Sequence, residues 1–354
     1  MSERVEWSEL PESLLPTIGE SLDTRIENLR FRSVCTSWRS STPPFDSISP
    51  RRFPLDLSIP FPFPSIDFAD DYYYDCLTLF KRKCTLRQSI LYRLQRLHPS
   101  PSDKAWLIEV EGRKLCLFDP LSKHRQRYEL PNNFNLLDFQ HLELTRAYSL
   151  KMHPDLYDFG FAHKVVMYPN SPSIKLNDFH VFVIHEFDFG QYRLLRHAKC
   201  GDENWTTVGE GTQDFDDVIV YEGRFYVVDQ SGIVYRINVS SLELQLLYPR
   251  IPDGELGTMK YLVESGGALY VVDKYDKGRV RFNVYKLNEE PDGSFVWDLM
   301  ESLGDRAFIL GHDCSLSVSA GEFFGYEGNC IYFTHHNQAH VFKLEDDSIA
   351  NLDI

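Results

Sequence analysis

The chain has 354 residues, which exceeds the usual length of one small domain, so we expect two domains. Hydrophobic residues make up 43% of the sequence, which is enough for a sizeable core. Its 52 acidic and 37 basic side chains give a net charge of −15, which argues against nucleic-acid binding because phosphate backbones require clustered cations. There is no apolar run of about 18 residues to span a membrane, no basic-then-apolar signal peptide and no C-x-x-C pair among the seven cysteines. We therefore expect a soluble intracellular protein, located in the nucleus, the cytoplasm or both, without membrane contact, disulfides or zinc knuckles.

Residues 1–42 are predicted to form a small helical module. Apolar residues recur there at helical spacing: Leu10, Leu14, Leu15, Ile18, Leu22, Leu29, Phe31, Val34, Cys35 and Trp38. From Phe31 to Trp38 they follow the i, i+3, i+4, i+7 spacing of one amphipathic helix, which the segment 40–44 ends. So short a segment cannot bury this surface alone, which favours a partner interface over a bundle that only packs on the rest of the chain.

Residues 43–103 are predicted to be a Pro-rich linker and lead-in segment. Seven prolines between residues 43 and 64 exclude a regular helix over its first part, and the FPFP run favours an extended segment. Asp70, Asp71 and Asp75 lack the ligand ladder of a calcium loop, so a solvated acidic loop is expected. The basic residues Lys81, Arg82, Lys83, Arg87, Arg93 and Arg96 are interpreted as a solvated face rather than a nuclear signal or an acidic-partner site.

Residues 104–354 are predicted to form a β-propeller-like domain. An apolar run, a Gly-centred turn and an aromatic-rich run recur as WLIEVEGRKLCLFD, DDVIVYEGRFYVVD, KYLVESGGALYVVD and GYEGNCIYFTHH. Each unit indicates a β-hairpin, in which glycine supplies the positive φ of a tight turn. A period of about 40–50 residues built from short strands favours four-stranded propeller blades over a two-sheet sandwich. The irregular spacing leaves the number of blades open.

No catalytic or metal-binding pattern emerges from the chain. His335, His336 and His340 have the short spacing of metal ligands, but in a strand the first two would point to opposite faces. No carboxylate or thiol pattern accompanies them, so structural or solvent-exposed histidines are expected. There is no P-loop, no GxSxG elbow and no kinase motif set. We therefore predict no catalytic residue, no metal, no cofactor and no enzyme activity; a propeller enzyme would instead need acidic or histidine residues converging on a central channel.

The segment LPESLLPTIGESLDTRIENLRFRSVCTSWRSS resembles an F-box, the helical module that docks on the Skp-family adaptor of SCF ubiquitin ligases. The Leu-Pro opening, the Leu-Leu-x-x-Ile core and the FRSVCxSWR ending stand in order. The resemblance implies an adaptor-facing and supporting surface made of Leu10, Pro11, Leu14, Leu15, Ile18, Val34, Cys35 and Trp38. Gly19 departs from this pattern, and as a poor helix former it is expected to cost up to about 1 kcal/mol there.

The remainder is similar to a plant F-box family, the SKIP-like or KIB-like proteins, through WLIEVEGRKLCLFDPLSKHR, KYLVESGGALYVVD and SLGDRAFILGHDCSLSVSA, among others. That resemblance implies a kelch-type propeller that presents a target protein to a ligase. In GNCIYFTHH, His335 and His336 replace the family's acidic pair; if they line the binding face, the preferred ligand differs from that of relatives.

Together these features predict a non-catalytic substrate receptor of an SCF-type E3 ubiquitin ligase. Its expected partners are a Skp-family adaptor, a cullin indirectly, and an unidentified target protein. The alternative is a non-ligase adaptor that binds the Skp protein and sequesters a regulator, which recovery of a cullin would distinguish.

Overall fold

The computed structural model describes most of the chain, with gaps. The described residues are 10–20, 22, 25–43, 55–60, 83–98, 100, 103–111, 114–117, 128–129, 139–152, 162–169, 179–187, 192–209, 213–247, 249–252, 257–311, 314–336 and 338–352. The FPFP run, the acidic loop at 70–75, Lys81, Arg82 and Gly112 lie outside these residues.

Three short helices form the N-terminal module: α1 (Leu15–Glu20), α2 (Arg25–Ser33) and α3 (Thr36–Ser41). The prediction of one helix from Phe31 to Trp38 was wrong. Cys35 is extended, with φ −159° and ψ 179°, and it forms the N-cap of α3, so the chain turns between α2 and α3. The apolar spacing still brings the two ends together, because the Phe31 and Trp38 rings lie 4.5 Å apart across this turn.

The rest of the described chain is β-structure. The strands are β1 (Leu55–Pro60), β2 (Lys83–Arg96), β3 (Trp106–Glu111), β4 (Lys114–Leu117), β5 (Tyr128–Glu129), β6 (Phe139–Met152), β7 (Ala162–Tyr168), β8 (His180–Phe187), β9 (Tyr192–Lys199), β10 (Thr206–Thr207), β11 (Phe215–Tyr221) and β12 (Arg224–Asp229). They continue as β13 (Val234–Ile237), β14 (Leu244–Leu247), β15 (Met259–Ser265), β16 (Ala268–Tyr275), β17 (Arg281–Glu289), β18 (Phe295–Leu299), β19 (Arg306–Leu310), β20 (Ser315–Ser319), β21 (Cys330–His335), β22 (Gln338–Lys343) and β23 (Ser348–Asn351).

These strands form five sheets, which are the blades of a five-bladed propeller. Blade 1 contains β1–β6, blade 2 β7–β10, blade 3 β11–β14, blade 4 β15–β18 and blade 5 β19–β23. The propeller prediction is confirmed, and the sandwich alternative is wrong. Blades 2, 3 and 4 are four-stranded antiparallel meanders, whereas blades 1 and 5 have six and five strands, which explains why the sequence spacing is irregular.

Five apolar clusters lie one between each pair of neighbouring blades, including the pair of blade 5 and blade 1, so the ring is closed. The ring also closes through the backbone: Ala105 N donates to Glu322 O at 2.6 Å and Phe324 N donates to Ala105 O at 3.1 Å. Each cluster contains residues of two neighbouring blades. One such pair of residues from each cluster is Leu91 and Ile309, Leu86 and Val181, Phe182 and Val218, Val228 and Leu262, and Val263 and Phe308.

Two of the predicted turns have the geometry that the glycines imply. In the β11–β12 turn Glu222 has φ 49° and Gly223 φ 71°, and in the β15–β16 turn Gly266 and Gly267 have φ 60° and 76°. Two consecutive positive φ values are typical of the type I′ turn, whose twist matches that of a hairpin. The first predicted hairpin is also confirmed, since β3 and β4 pair with Glu111 opposite Lys114.

The fourth predicted hairpin was wrong. The strand after Gly328, β21, pairs in parallel with β19 and antiparallel with β22, so the turn that reverses the chain lies at His336. Gly328 instead allows close backbone packing, because a Cβ there would lie 2.9 Å from Gly304 O.

The predicted boundary between the segment 43–103 and the propeller at 104 stays a prediction. In the structure, β1 and β2 precede residue 104 and belong to the sheet of blade 1. Leu86 and Leu94 on β2 are fully buried, so the second half of that segment contributes to the propeller core.

Candidate partner-binding surfaces

The helical module has a small core of its own. Leu15, Phe31 and Trp38 are buried, and Leu10, Ile18, Leu22 and Cys35 pack against them half-buried. Helix α1 lies close to the end of α3 because Gly19 has no side chain, and a Cβ there would lie 2.1 Å from Thr42 Oγ1. The glycine that looks like a poor choice for a helix is therefore required by packing.

Two large apolar side chains of this module remain exposed. The side chain of Leu14 is 48% exposed and that of Val34 is 46% exposed. Pro11, which precedes Leu14 closely in the sequence, is also exposed. Leu14 lies in the turn before α1, and Val34 lies in the turn between α2 and α3. Such side chains in a module with so small a core are typical of a surface that a partner covers.

The structure divides the eight predicted adaptor-binding residues into two groups. Leu15 and Trp38 are buried, and Leu10, Ile18 and Cys35 are half-buried, so these five support the module from inside. Pro11, Leu14 and Val34 are the exposed ones, and as contact residues they stay a prediction.

The second candidate surface is a cavity of about 540 Å³ along the centre of the propeller. All five blades line it, through β6, β7, β11, β15 and β20, with Arg306 of β19 as a further lining residue. The ionisable residues among its described lining residues are Glu143, Arg146, Tyr148, Lys164, Tyr168, Glu264, Arg306 and Cys314, and none of the described lining residues is a histidine. Among the residues that the structure describes, no group of three or more His, Cys, Asp or Glu side chains could hold a metal ion.

A pair of buried aspartates at the start of β11 joins three blades. Asp217 accepts hydrogen bonds from Val218 N and from Leu262 N of blade 4, both at 2.8 Å. Lys164 of blade 2 forms an ion pair with Asp217 at 3.1 Å, and both side chains are almost completely buried. A buried pair is stable only when further hydrogen bonds replace the lost water, as the two backbone N–H groups do here.

The neighbouring Asp216 makes a parallel set of contacts. It accepts from Lys260 N at 2.9 Å and pairs with Arg193 Nη1 of blade 2 at 2.6 Å. Burial raises the pKa of Asp216 to about 6, although the charges of Arg193 and Lys260 oppose this shift. The fully buried Lys260 ammonium donates to Gln230 O at 2.6 Å and to Gly257 O at 3.0 Å. These contacts hold blades 2, 3 and 4 together around the cavity.

Sequence reasoning missed this pair, and it also missed Glu264 as a cavity residue. The Asp-Asp doublet that opens DDVIVYEGRFYVVD was the available signal, because two charges inside an otherwise apolar strand require buried partners. Glu264 carries no local signal, since only the closure of the ring brings it to the cavity.

The three C-terminal histidines cluster, but away from the cavity. The rings of His335 and His336 lie 4.0 Å apart, and those of His335 and His340 lie 6.2 Å apart. His336 is not in a strand as expected but in the turn, with φ 49°. His340 stacks on Phe333 at 5.4 Å, and burial, with the nearby Lys274 charge, lowers the pKa of His335.

The predicted basic face is partly neutralised by a carboxylate of blade 1 and one of the β20–β21 connection in blade 5. Arg87 lies 3.7 Å from Glu111, and Arg93 lies 3.7 Å from Glu322 and over the ring of Phe323.

No helix among the described residues is long and apolar enough to cross a membrane.

Comparison with known proteins covers both modules. The family model described as the KIB1-4 β-propeller matches residues 78–348. The putative F-box protein At1g65770 of Arabidopsis thaliana is 31% identical over 370 residues, which cover 98% of this chain and 94% of that protein. The F-box protein At4g35733 of the same plant is 28% identical, with 99% of this chain and 95% of that protein covered. The Arabidopsis F-box protein SKIP23 is 28% identical, with 97% and 86% covered.

Proposed function

Because the chain belongs to the KIB1-4 β-propeller family of plant F-box proteins, we propose that it is the substrate-recognition subunit of an SCF-type E3 ubiquitin ligase. The helical module binds the Skp-family adaptor, and the propeller binds the target protein. No residue of this chain performs chemistry in such a complex. Its contribution is proximity, because holding a target lysine near the charged conjugating enzyme makes transfer effectively intramolecular.

The observation that carries the proposal is the exposure of Leu14 and Val34 on a module whose core is already closed. Leu15, Phe31 and Trp38 fill that core, so the exposed pair is not needed to hold the helices together. Full burial of an aliphatic side chain contributes about 1.5–3 kcal/mol, so covering two half-exposed ones yields about 0.7–1.5 kcal/mol each.

The test is adaptor binding by Leu14→Ala combined with Val34→Ala, measured by isothermal titration calorimetry against the purified adaptor. Losing about 1.4–3 kcal/mol corresponds to a Kd roughly 10- to 140-fold higher. The matched control is Val296→Ala with Leu299→Ala on β18, which removes the same atoms from side chains that are 36% and 58% exposed in blade 4. Equal adaptor affinity of the F-box variant and the control would refute the proposed docking surface.

A further inference from the structure

An exposed serine lies beside one of the two exposed apolar side chains of the helical module. Ser33 is the last residue of α2, and Val34 follows it directly. The side chain of Ser33 is exposed, and its Oγ donates to Arg30 O at 2.7 Å. Because this bond is local to the last turn of α2, the hydroxyl does not join α2 to the other helices.

The residues before Ser33 carry the charge pattern that basophilic protein kinases recognise. Such kinases bind arginines that precede the target serine, above all the arginine three residues before it, through acidic groups of their own. Arg30 and Arg32 stand three residues and one residue before Ser33. Arg30 is exposed, so its guanidinium is accessible to a kinase.

Burial distinguishes Ser33 from the other hydroxyl residues with this spacing. Four serines or threonines of the chain follow a basic residue by three positions, and these are Ser33, Thr42, Thr85 and Ser149. Thr42 and Thr85 are 3% and 9% exposed. Ser149 is half-buried inside β6, where it pairs with Arg87 of β2. A kinase therefore reaches Ser33 without unfolding a blade or the core of the module.

Only the end of α2 has to open for Ser33 to enter a kinase active site, which binds its target segment extended. Cys35 is already extended, with φ −159° and ψ 179°. The bonds that must break are the one from Ser33 Oγ to Arg30 O and the one from Val34 N to Phe31 O, at 3.2 Å. Helix ends open at little cost because few bonds hold them.

A phosphate on Ser33 would oppose docking of the adaptor for two reasons. It carries a charge of about −1.5 to −2 at pH 7, and it would stand at the C-terminal end of α2, where the helix dipole disfavours negative charge. It would also lie next to Val34, which the proposed interface covers, so docking would have to remove water from a dianion.

The neighbouring arginines do not cancel this charge. The Arg32 guanidinium already donates to Arg39 O at 2.9 Å and to Thr42 O, so pairing with the phosphate would break those bonds. Arg30 is free to approach the phosphate, but an ion pair between exposed groups is weak. The phosphate would therefore keep most of its cost for an apolar interface.

We propose that Ser33 is a phosphorylation site, at which a basophilic serine/threonine kinase releases this chain from its adaptor. The kinase transfers the γ-phosphoryl group of a nucleoside triphosphate to Ser33 Oγ, the hydroxyl proton passes to a base of the kinase, and the nucleoside diphosphate leaves. The inference rests on the proposed function and specifies how its adaptor-binding surface is regulated.

The first test compares the full chain carrying phosphoserine at Ser33 with the full chain carrying it at Ser40, both made by genetic code expansion. Ser40 is the matched control because it is exposed and its Oγ donates to Ser37 O at 2.9 Å, while its neighbours Arg39 and Ser41 are polar. Isothermal titration calorimetry against the purified adaptor gives the Kd. Phosphoserine at Ser33 should raise the Kd about tenfold or more, and at Ser40 less than about twofold.

The second test maps the modification itself. The purified chain is incubated with a basophilic kinase and MgATP, and mass spectrometry locates the phosphate. Ser33 should be modified, and Arg30→Ala should slow its modification about tenfold. Ser33→Ala should keep the adaptor affinity of wild type, because the hydroxyl makes only a local bond.

The inference is overturned if Ser33 stays unmodified, if both phosphoserines weaken adaptor binding equally, or if neither weakens it. The unmodified chain reports separately on the proposed function. Failure of that chain to bind the adaptor would refute the proposed function and this inference with it, whereas normal binding with an unaffected Kd after phosphorylation refutes the switch alone.

Discussion

The ion pair between Lys164 and Asp217 should be energetically coupled, because it is buried and because Asp217 also holds blade 4 through Leu262 N. Asp217→Asn leaves the Lys164 ammonium buried opposite a neutral amide and can satisfy only part of the backbone donors. Removing one partner of a buried pair costs about 3–5 kcal/mol, so we expect about 4 kcal/mol.

Lys164→Met should cost less, because Asp217 keeps two backbone N–H donors at 2.8 Å. We expect Lys164→Met to lower the free energy of unfolding by about 2 kcal/mol. If the two substitutions acted independently, their costs of about 4 and about 2 kcal/mol would sum to about 6 kcal/mol. The double variant removes both charges, so it should cost only about 3–4 kcal/mol, a coupling energy of about 2–3 kcal/mol.

The assay is urea unfolding at pH 7, followed by far-ultraviolet circular dichroism, for wild type, both single variants and the double variant. The control cycle uses Lys343→Met and Glu327→Gln, whose side chains pair at 2.6 Å but are 42% and 65% exposed. Its coupling should be much weaker than that of the Lys164–Asp217 pair because water screens exposed pairs. Additive costs in the Lys164–Asp217 cycle, to within about 0.5 kcal/mol, would refute the inter-blade clamp.

Two further predictions concern packing and pH. Gly19→Ala should lower the thermal stability of the helical module and weaken adaptor binding, because the new methyl group meets Thr42. Differential scanning calorimetry of the purified chain measures the thermal stability, and an unchanged value would contradict the close packing of Gly19 on Thr42. Burial lowers the pKa of His197 to about 4 and that of His185 to about 3. Below pH about 6.5 these histidines therefore bind more protons in the unfolded chain than in the folded chain, so acid destabilises the fold. Asp216, with a pKa raised to about 6, acts in the opposite sense, so the test is the difference between wild type and His197→Gln. Relative to this variant, wild type should lose about 1.4 kcal/mol of unfolding free energy per pH unit between pH 6.5 and 4, and parallel pH profiles would contradict the assignment.

The sequence predicted those parts of the fold that depend on neighbours along the chain. Type I′ turns require positive φ at two adjacent positions, and glycine adopts positive φ readily. Gly223 therefore predicted the β11–β12 hairpin, and Gly266 with Gly267 predicted the β15–β16 hairpin. The same reasoning failed at Gly328, where glycine serves a contact with the backbone of Gly304, which is distant in sequence. A glycine alone does not reveal which of these two reasons applies.

The candidate surfaces show the same limit. Apolar spacing identified the residues of the helical module, but it could not distinguish buried Trp38 from exposed Val34, because the chain turns between α2 and α3. The charges around the cavity come from different blades, so Glu264 and Lys164 become neighbours of one channel only when the ring closes. The number of blades also depends on ring closure, since blades 1 and 5 depart from the repeat.

The proposed function requires the helical module to link the propeller to a ubiquitin ligase. The most direct measurement is recovery of the cullin with the tagged full chain from plant extract, compared between wild type and Leu14→Ala with Val34→Ala. The proposed function predicts adaptor and cullin with wild type and with the Val296→Ala and Leu299→Ala control, and loss of both with the F-box variant. Recovery of the adaptor without the cullin from wild type would contradict a ligase receptor and indicate a non-ligase adaptor instead.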